Sequence, residues 1–563
     1  MTTLPLTVPY TFGNTTTQNQ LTYLDADFTT IFNAVNGIGN GSVTLSTPVI
    51  TGALTLSTPL TAANGGTGVS NASLTPITAT GSTTARTLGD RFANVVNVKD
   101  FGAVEDGVTD DTSAIQAALN SFGSFGGTVN YNGRVYIASN LSVPSNVTIK
   151  GPQFYMGNNA TDSGYAYNSI AGIVLNSSAT ISLSGGSGLF GCLVIRKDQA
   201  VPETNPSANF AGTAITAAGD DVFLHECMIL GFAQAFTSNN YNRANIRDLK
   251  FDCTAGIKIQ NSNDIVHLNN CHGWPFLTTG TSYATNRSGT AYLISYTGSG
   301  SGGDWTRVNN CFSYGYETGF SLIATGDVIL SNCSADQSPT TYSGQIGFSI
   351  TGSAQRTRLM ACLASGQDTG MYFDTGTASP YGFVELTNCS IFTSNTSGIT
   401  VNTGDVTIIG GNIDNENTAI TLNSLSSKVF VDAVSFIAVT TNPFLLNAND
   451  GNLYIGNNNY FGSFSGNPIS NTSAVSTVAS ASPMVIPNTG TVFGVTGSTG
   501  FSVMNYGWPA RQIILIFNNS ITLTSGSGNN SLNLAGGTFT ATGGSTLTLV
   551  SNGGAWFEIA RKS

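Results

Sequence analysis

A short pattern returns through the middle of this chain: apolar, any, apolar, any, Asn, Cys, any, then small or apolar. Clear copies are VILSNC at Val328, VELTNC at Val384 and IVHLNNC at Ile265. Two residues past Cys192, Cys227, Cys253, Cys271, Cys311, Cys333, Cys362 and Cys389 stand Val194, Ile229, Ala255, Gly273, Ser313, Ala335, Ala364 and Ile391. Every one is small or apolar, so the column faces a core. Gly411 and Val434 continue it in the Cys position, at intervals of about 22 to 29 residues from Cys311 onward, the length of a stacked repeat. Most units then carry Gly or Ala before another alternating strand, as in GFSL at Gly319, GFSI at Gly347, GITV at Gly398 and AITL at Ala419. A rung therefore holds at least two strands and two turns. Asn270, Asn310, Asn332 and Asn388, each before its Cys, suit a left-handed bend with amides stacked between rungs.

The cysteines follow the rung spacing with no CxxC pair, so they read as buried free thiols acting as small hydrophobes. Three His offer no metal cluster, and no cofactor is expected. Charged residues make up 9% of the chain while Gly, Ser, Thr and Asn abound, a profile of strands and turns. With 40% hydrophobic residues the chain has material for a core and is expected to fold. A net charge of −11 with no cluster of cations argues against nucleic acid and anionic membranes as partners. The opening MTTLPLTVPYTFGNTTT lacks a basic n-region, and no apolar run approaches a membrane span, so a soluble protein made in a cytoplasm is expected.

Three regions are expected. In residues 1–90, Leu21, Leu24, Phe28, Ile31, Phe32 and Val35 recur at helical steps on a stripe that needs a partner, and a thin Thr/Ser/Gly stretch follows. Residues 91–477 carry the rungs. From 478 to 563 the rung pattern gives way to alternating strands such as QIILIF, TLTLVS and AWFEIA between Gly/Ser/Asn turns, read as a small β-sandwich or barrel.

The segment DFGAVEDGVTDDTSAIQAAL, Asp100 to Leu119, has an Asp-Gly turn and then a short helix with Ala114, Ile115, Ala118 and Leu119 on its apolar face. Together with GGTVNYNGRVYIASNLSVPSNVTIKGP, Gly126 to Pro152, it resembles the opening of the pectate-lyase-like superfamily, right-handed parallel β-helices closed at one end by such a helix. With the NGGTG stretch, the whole chain is similar to bacteriophage tailspike and tail fibre proteins carrying that domain. The resemblance implies a homotrimer in the virion, attached to the phage tail or baseplate through its N-terminal region and held at the far end by the C-terminal β domain.

Strand alternation turns the first and third residues after each Cys outward. That column brings up His272, Trp274, Phe312, Tyr314 and Asp336, with His267 and Arg307 just upstream and Trp305 at the end of an insertion. Aromatics on successive rungs, ~4.8 Å apart, are expected to form a flat ladder on which sugars stack, or else a contact between chains of a trimer. Glu317 and Asp368 each fall six residues after a Cys, two rungs or about 9.6 Å apart by strand spacing. That is at the edge of the separation for an inverting glycosidase. Asp336 is taken as one catalytic carboxylate with Glu317 or Asp368 as its partner, although Asn395 and Asn417 in the same column favour a turn role for the last two. The expected activity is hydrolytic depolymerisation of a bacterial surface polysaccharide, with a non-enzymatic glycan-binding fibre as the alternative. Hydrolysis is preferred to lyase chemistry because β-elimination would want a Lys or Arg near a uronate, usually with Ca2+ ligands, and no dense acidic Ca2+ motif appears.

Overall fold

The computed structural model describes residues 74–93, 95–152, 169–277, 287–298, 305–337, 344–376, 382–424, 427–447, 453–456, 458–462, 477–487, 491–505 and 507–563. Short pieces at 2–3, 28–33, 43–44, 167 and 469–471 are described as well. The chain divides into two units, Met1–Arg91 and Phe92–Ser563. In the first, residues 28–33 are helical with Phe28, Ile31 and Phe32 exposed, as an unpartnered amphipathic stripe leaves them. Leu21, Leu24 and Val35 lie outside the described residues. A hairpin pairs Pro76–Thr78 with Ala85–Thr87.

The second unit begins with a cap. Asn97 and Asp100 form a capping box around the 3-10 turn Val98–Phe101. The helix Thr112–Asn120 then buries Ile115, Ala118 and Leu119 against the end of the core. The buried Asp111 carboxylate accepts bonds from the Val104 and Glu105 amides at 2.7 and 3.2 Å, which fixes the loop that leads into the helix.

Beyond the cap the chain winds into a parallel β-helix. Each rung contributes three strands, one more than the minimum expected, because a third alternating segment follows the bend after Cys. Thr306–Asn309 lies on a first face, Phe312–Tyr314 on a second and Tyr316–Ile323 on a third. The third face is a parallel sheet of thirteen strands, and the first two join in one of 26. The bend between the first two faces sits at a residue with positive φ, including Asn270 (53°), Asn310 (52°), Asn332 (52°) and Asn388 (53°). Asn tolerates this left-handed geometry where most side chains do not.

All eight cysteines are buried and free. Their thiols donate to carbonyls of the preceding rung, as Cys311 does to Leu268 at 3.6 Å and Cys333 to Val308 at 3.3 Å. Cys253 departs from the predicted column. Lys250 pairs in register with Met228 and His272, so Leu249 holds the Cys position of that rung and Cys253 sits at the next corner. Phe251, not Ala255, is the inward side chain there. Reading the thiols alone displaced this rung by four residues. On the third face Tyr292, Phe320 and Phe348 stack at 4.6 and 4.8 Å with planes 6° apart, the parallel register holding ring over ring inside the core.

Residues 477–563 form a six-stranded sheet and a two-stranded one around a separate core. Trp556 is fully buried there and donates its indole N–H to the Met504 carbonyl at 3.0 Å.

Candidate functional site

The outward positions of the second face change character along the axis. On the upper rungs they are apolar and covered: Leu193, Ile195, Met228 and Leu230 are buried in a cluster outside the solenoid with Tyr167, Phe210, Phe276 and Leu277. Two segments build this cover. Residues 199–210 are pinned by the buried Glu203, whose carboxylate accepts from the Thr204 and Asn205 amides and the Asn209 and Gln199 side chains at 2.7–2.9 Å. Residues 275–277 are held by Asp252, which accepts the Leu277 amide at 2.8 Å and two bonds from Arg287 at 2.7 and 2.9 Å. Asp252 and Arg287 are both fully buried.

Where the cover ends, rings come to the surface. His272 lies 5.6 Å from Trp274, 5.6 Å from Phe276 and 5.0 Å from Phe312, and Trp274 lies 4.9 Å from Tyr314. His272, Trp274, Phe312 and Tyr314 are half-buried. Their planes meet at 40–81°, so the expected flat ladder is instead a tilted cluster, the arrangement that ring quadrupoles favour. Trp274 also rolls against the apolar cover. Gly273 between them is required: a Cβ there would stand 2.8 Å from the Phe251 ring of the rung above.

Asp336 follows directly below. Register places Tyr314 over Asp336 and Asp336 over Ser365. The carboxylate is half-buried, accepts the Gln337 amide at 2.8 Å, and has its pKa raised by that burial. At the head of the patch, one rung above His272, stands Lys250, half-buried, with its ammonium 5.9 Å from the Phe276 ring. Burial lowers its pKa. His272 is held down to about 4 by burial first and by Lys250 second, so the imidazole is neutral near pH 7.

Glu317 and Asp368 stand at the corner between the second and third faces. The register Thr318–Ile346–Thr369 keeps them two rungs apart. Glu317 is exposed. Asp368 is tied into a run of turn side chains: it accepts the Gly344 amide and, at 3.2 Å, the Asn395 amide group, and Asn417 in turn donates to the Asn395 carbonyl at 3.2 Å. Trp305 and Arg307 lie across the Asn310 bend on the first face, apart from the ring patch. Trp305 is 59% exposed, and Arg307 pairs with Asp327 at 3.9 Å. The second face thus gathers His272, Trp274, Phe312, Tyr314 and Asp336, adds Lys250 and Ser365, and leaves the other four expected residues at its margin or beyond. Lys250 escaped the sequence reading because of the displaced frame at Cys253; the 22-residue step from Cys227 to Leu249, repeated to Cys271, was the signal that would have found it. Among the described residues, no group of three or more His, Cys, Asp or Glu is placed to hold a metal ion.

Residues 95–162 match the family model described as rhamnogalacturonase A/epimerase, pectate lyase-like. Two curated relatives are similar over 64 residues at 47% identity, the mannuronan C5-epimerases AlgE5 and AlgE2 of Azotobacter vinelandii; the match takes in 11% of this chain and 6% of each relative. Among solved structures, the Dettilon tailspike protein aligns over 88% of this chain and 82% of its own at 13% identity and TM-score 0.40. The catalytic unit of a GH87 α-1,3-glucanase from Streptomyces thermodiastaticus aligns over 67% of this chain and 69% of its own at 14% identity and TM-score 0.40.

Proposed function

Starting from a parallel β-helix whose first rungs are pectate-lyase-like, we propose that the second face is the glycan site of a trimeric phage tailspike that binds and depolymerises a bacterial surface polysaccharide. The observation that carries this is the ring cluster of His272, Trp274, Phe312 and Tyr314 ending against Asp336, a carboxyl that burial holds in its acid form to higher pH than usual. Half-buried rings give sugar faces an apolar seat. A protonated carboxyl beside them can deliver its proton to a glycosidic oxygen as the bond breaks. The second carboxylate then comes from Glu317 or Asp368 at the corner, or from another chain. The family model over residues 95–162, named for a glycosidase and an epimerase, supports carbohydrate chemistry on this scaffold.

A binding-only fibre is the second reading. It is favoured by Ser365, rather than an acid, in the register position below Asp336, and by the turn bonds that occupy Asp368. Purified surface polysaccharides incubated with the protein decide between them. New reducing ends that fail to form with Asp336→Asn support cleavage, products carrying a new ultraviolet-absorbing double bond would point to elimination, and binding without either leaves a lectin-like fibre. Absence of both binding and cleavage across a broad panel of polysaccharides would sink the proposal.

A further inference from the structure

Lys250 has no role in what precedes. It projects from the second face beside the ring patch, half-buried, and no ion pair or hydrogen bond engages its ammonium among the described residues. The carboxylate nearest along its strand, Asp252, is fully buried and committed to Arg287 and the Leu277 amide. A charge drawn partly out of water without a counter-ion is destabilising, and folds retain such groups where something else supplies the opposite charge. The ammonium stands 5.9 Å from the Phe276 ring, so it points toward the rings rather than away from them.

We infer that the glycan seated on the second face is anionic, and that Lys250 receives an oxyanion of it, a carboxylate or a phosphate, at the upper end of the ring patch. The inference rests on that face being the glycan site. Register carries Lys250 through His272 and Phe312 to Ser334, beside Asp336. Three steps at the spacing of neighbouring strands put the ammonium ~14 Å up the axis from the acid. The charged substituent therefore sits on a sugar upstream of the one beside Asp336, so it governs binding and register rather than the reacting bond.

The test takes the polysaccharide that the binding assay identifies, together with samples whose carboxyls have been reduced to alcohols or whose phosphates have been removed. Wild type should lose about tenfold or more in affinity for one of the two treated samples, and which one names the oxyanion. Lys250→Met should lose a similar factor on the untreated glycan and be indifferent to treatment, while Lys250→Arg retains binding. Reductive 13C-methylation of wild type should show the Lys250 dimethylamine signal moving on addition of the untreated glycan. If Lys250→Met fails to fold, the treated glycans against wild type still decide. Equal affinity of wild type for the untreated and both treated glycans overturns the inference, as does full affinity in Lys250→Met. If Trp274→Ala still weakens binding in that case, the glycan site stands without its charge preference. A wild type that binds no glycan overturns both.

Discussion

At the scale of single residues, burial sets the chemistry of two acids. Asp336→Asn keeps shape and removes the proposed proton donor, so activity should fall by roughly a hundred- to ten-thousandfold, with binding affinity nearly unchanged in calorimetry. Because burial raises the Asp336 pKa, the acid form persists to higher pH than in an ordinary Asp, and the alkaline limb of the rate profile should shift in the same direction. A profile with its limb near the ordinary Asp value would assign the proton to another group. Glu416 is the second acid. It is fully buried at a corner, accepts the Ser394 amide with both oxygens, and burial raises its pKa from 4.5 to about 7. The folded state thus keeps a proton that the unfolded chain has released between those values. Stability should be full below pH 4.5, fall as pH rises to 7, and stay lower above. Glu416→Gln should match wild type near pH 4.5 and exceed it by about 1 to 3 kcal/mol at pH 8, read from urea melts at both values.

Among elements, the cover on the upper second face decides where the ring patch begins. Asp252 and Arg287 lock residues 275–277 in place, and Asp252→Ala would strand a buried guanidinium. We expect a loss of about 3 to 5 kcal/mol and faster proteolysis within 199–210 and 275–287, with the lower rungs unaffected. Uniform destabilisation of all rungs would argue that the cover is no separate element. Sequence patterning found the rungs because inward positions must be small or apolar whatever the rung, and the Asn-Cys corner marks the register directly. It failed where Leu249 fills a Cys position and Cys253 lies off the column, and it held where Ala361 and Ala433 replace Asn at the bend with φ 52° and 56°. The cover was illegible for a different reason. Leu193, Met228 and Leu230 occupy outward positions, and alternation alone cannot say that a segment from another part of the chain will bury them.

For the whole molecule, apolar side chains remain on the outside. Met360, Phe383, Ile409 and Phe430 are 38–44% exposed on the first face of the lower rungs, and Ile559 is 53% exposed on the C-terminal sheet. Large apolar side chains left exposed in this number offer a partner chain something to bury. The expectation is a trimer, so sedimentation equilibrium should return three times the chain mass of 58.2 kDa, and Phe430→Glu with Ile559→Glu should shift it toward monomer. A wild-type monomer would remove this expectation. All eight thiols should resist a thiol reagent until unfolding, since each is buried.

The bend between the first two faces has a consequence for how such a protein can diversify. From Gly188 to Ile437 that corner admits two residues in every rung, as Asn332 and Cys333 do between the strands Asp327–Ser331 and Ser334–Asp336. The other two corners admit anything from a tight turn to the segments spanning 197–212, 274–286 and 337–345. One corner keeps count while the others are free to be rewritten. A loop bordering Asp336 could therefore be exchanged for one fitted to a different glycan without a single rung changing its place in the stack.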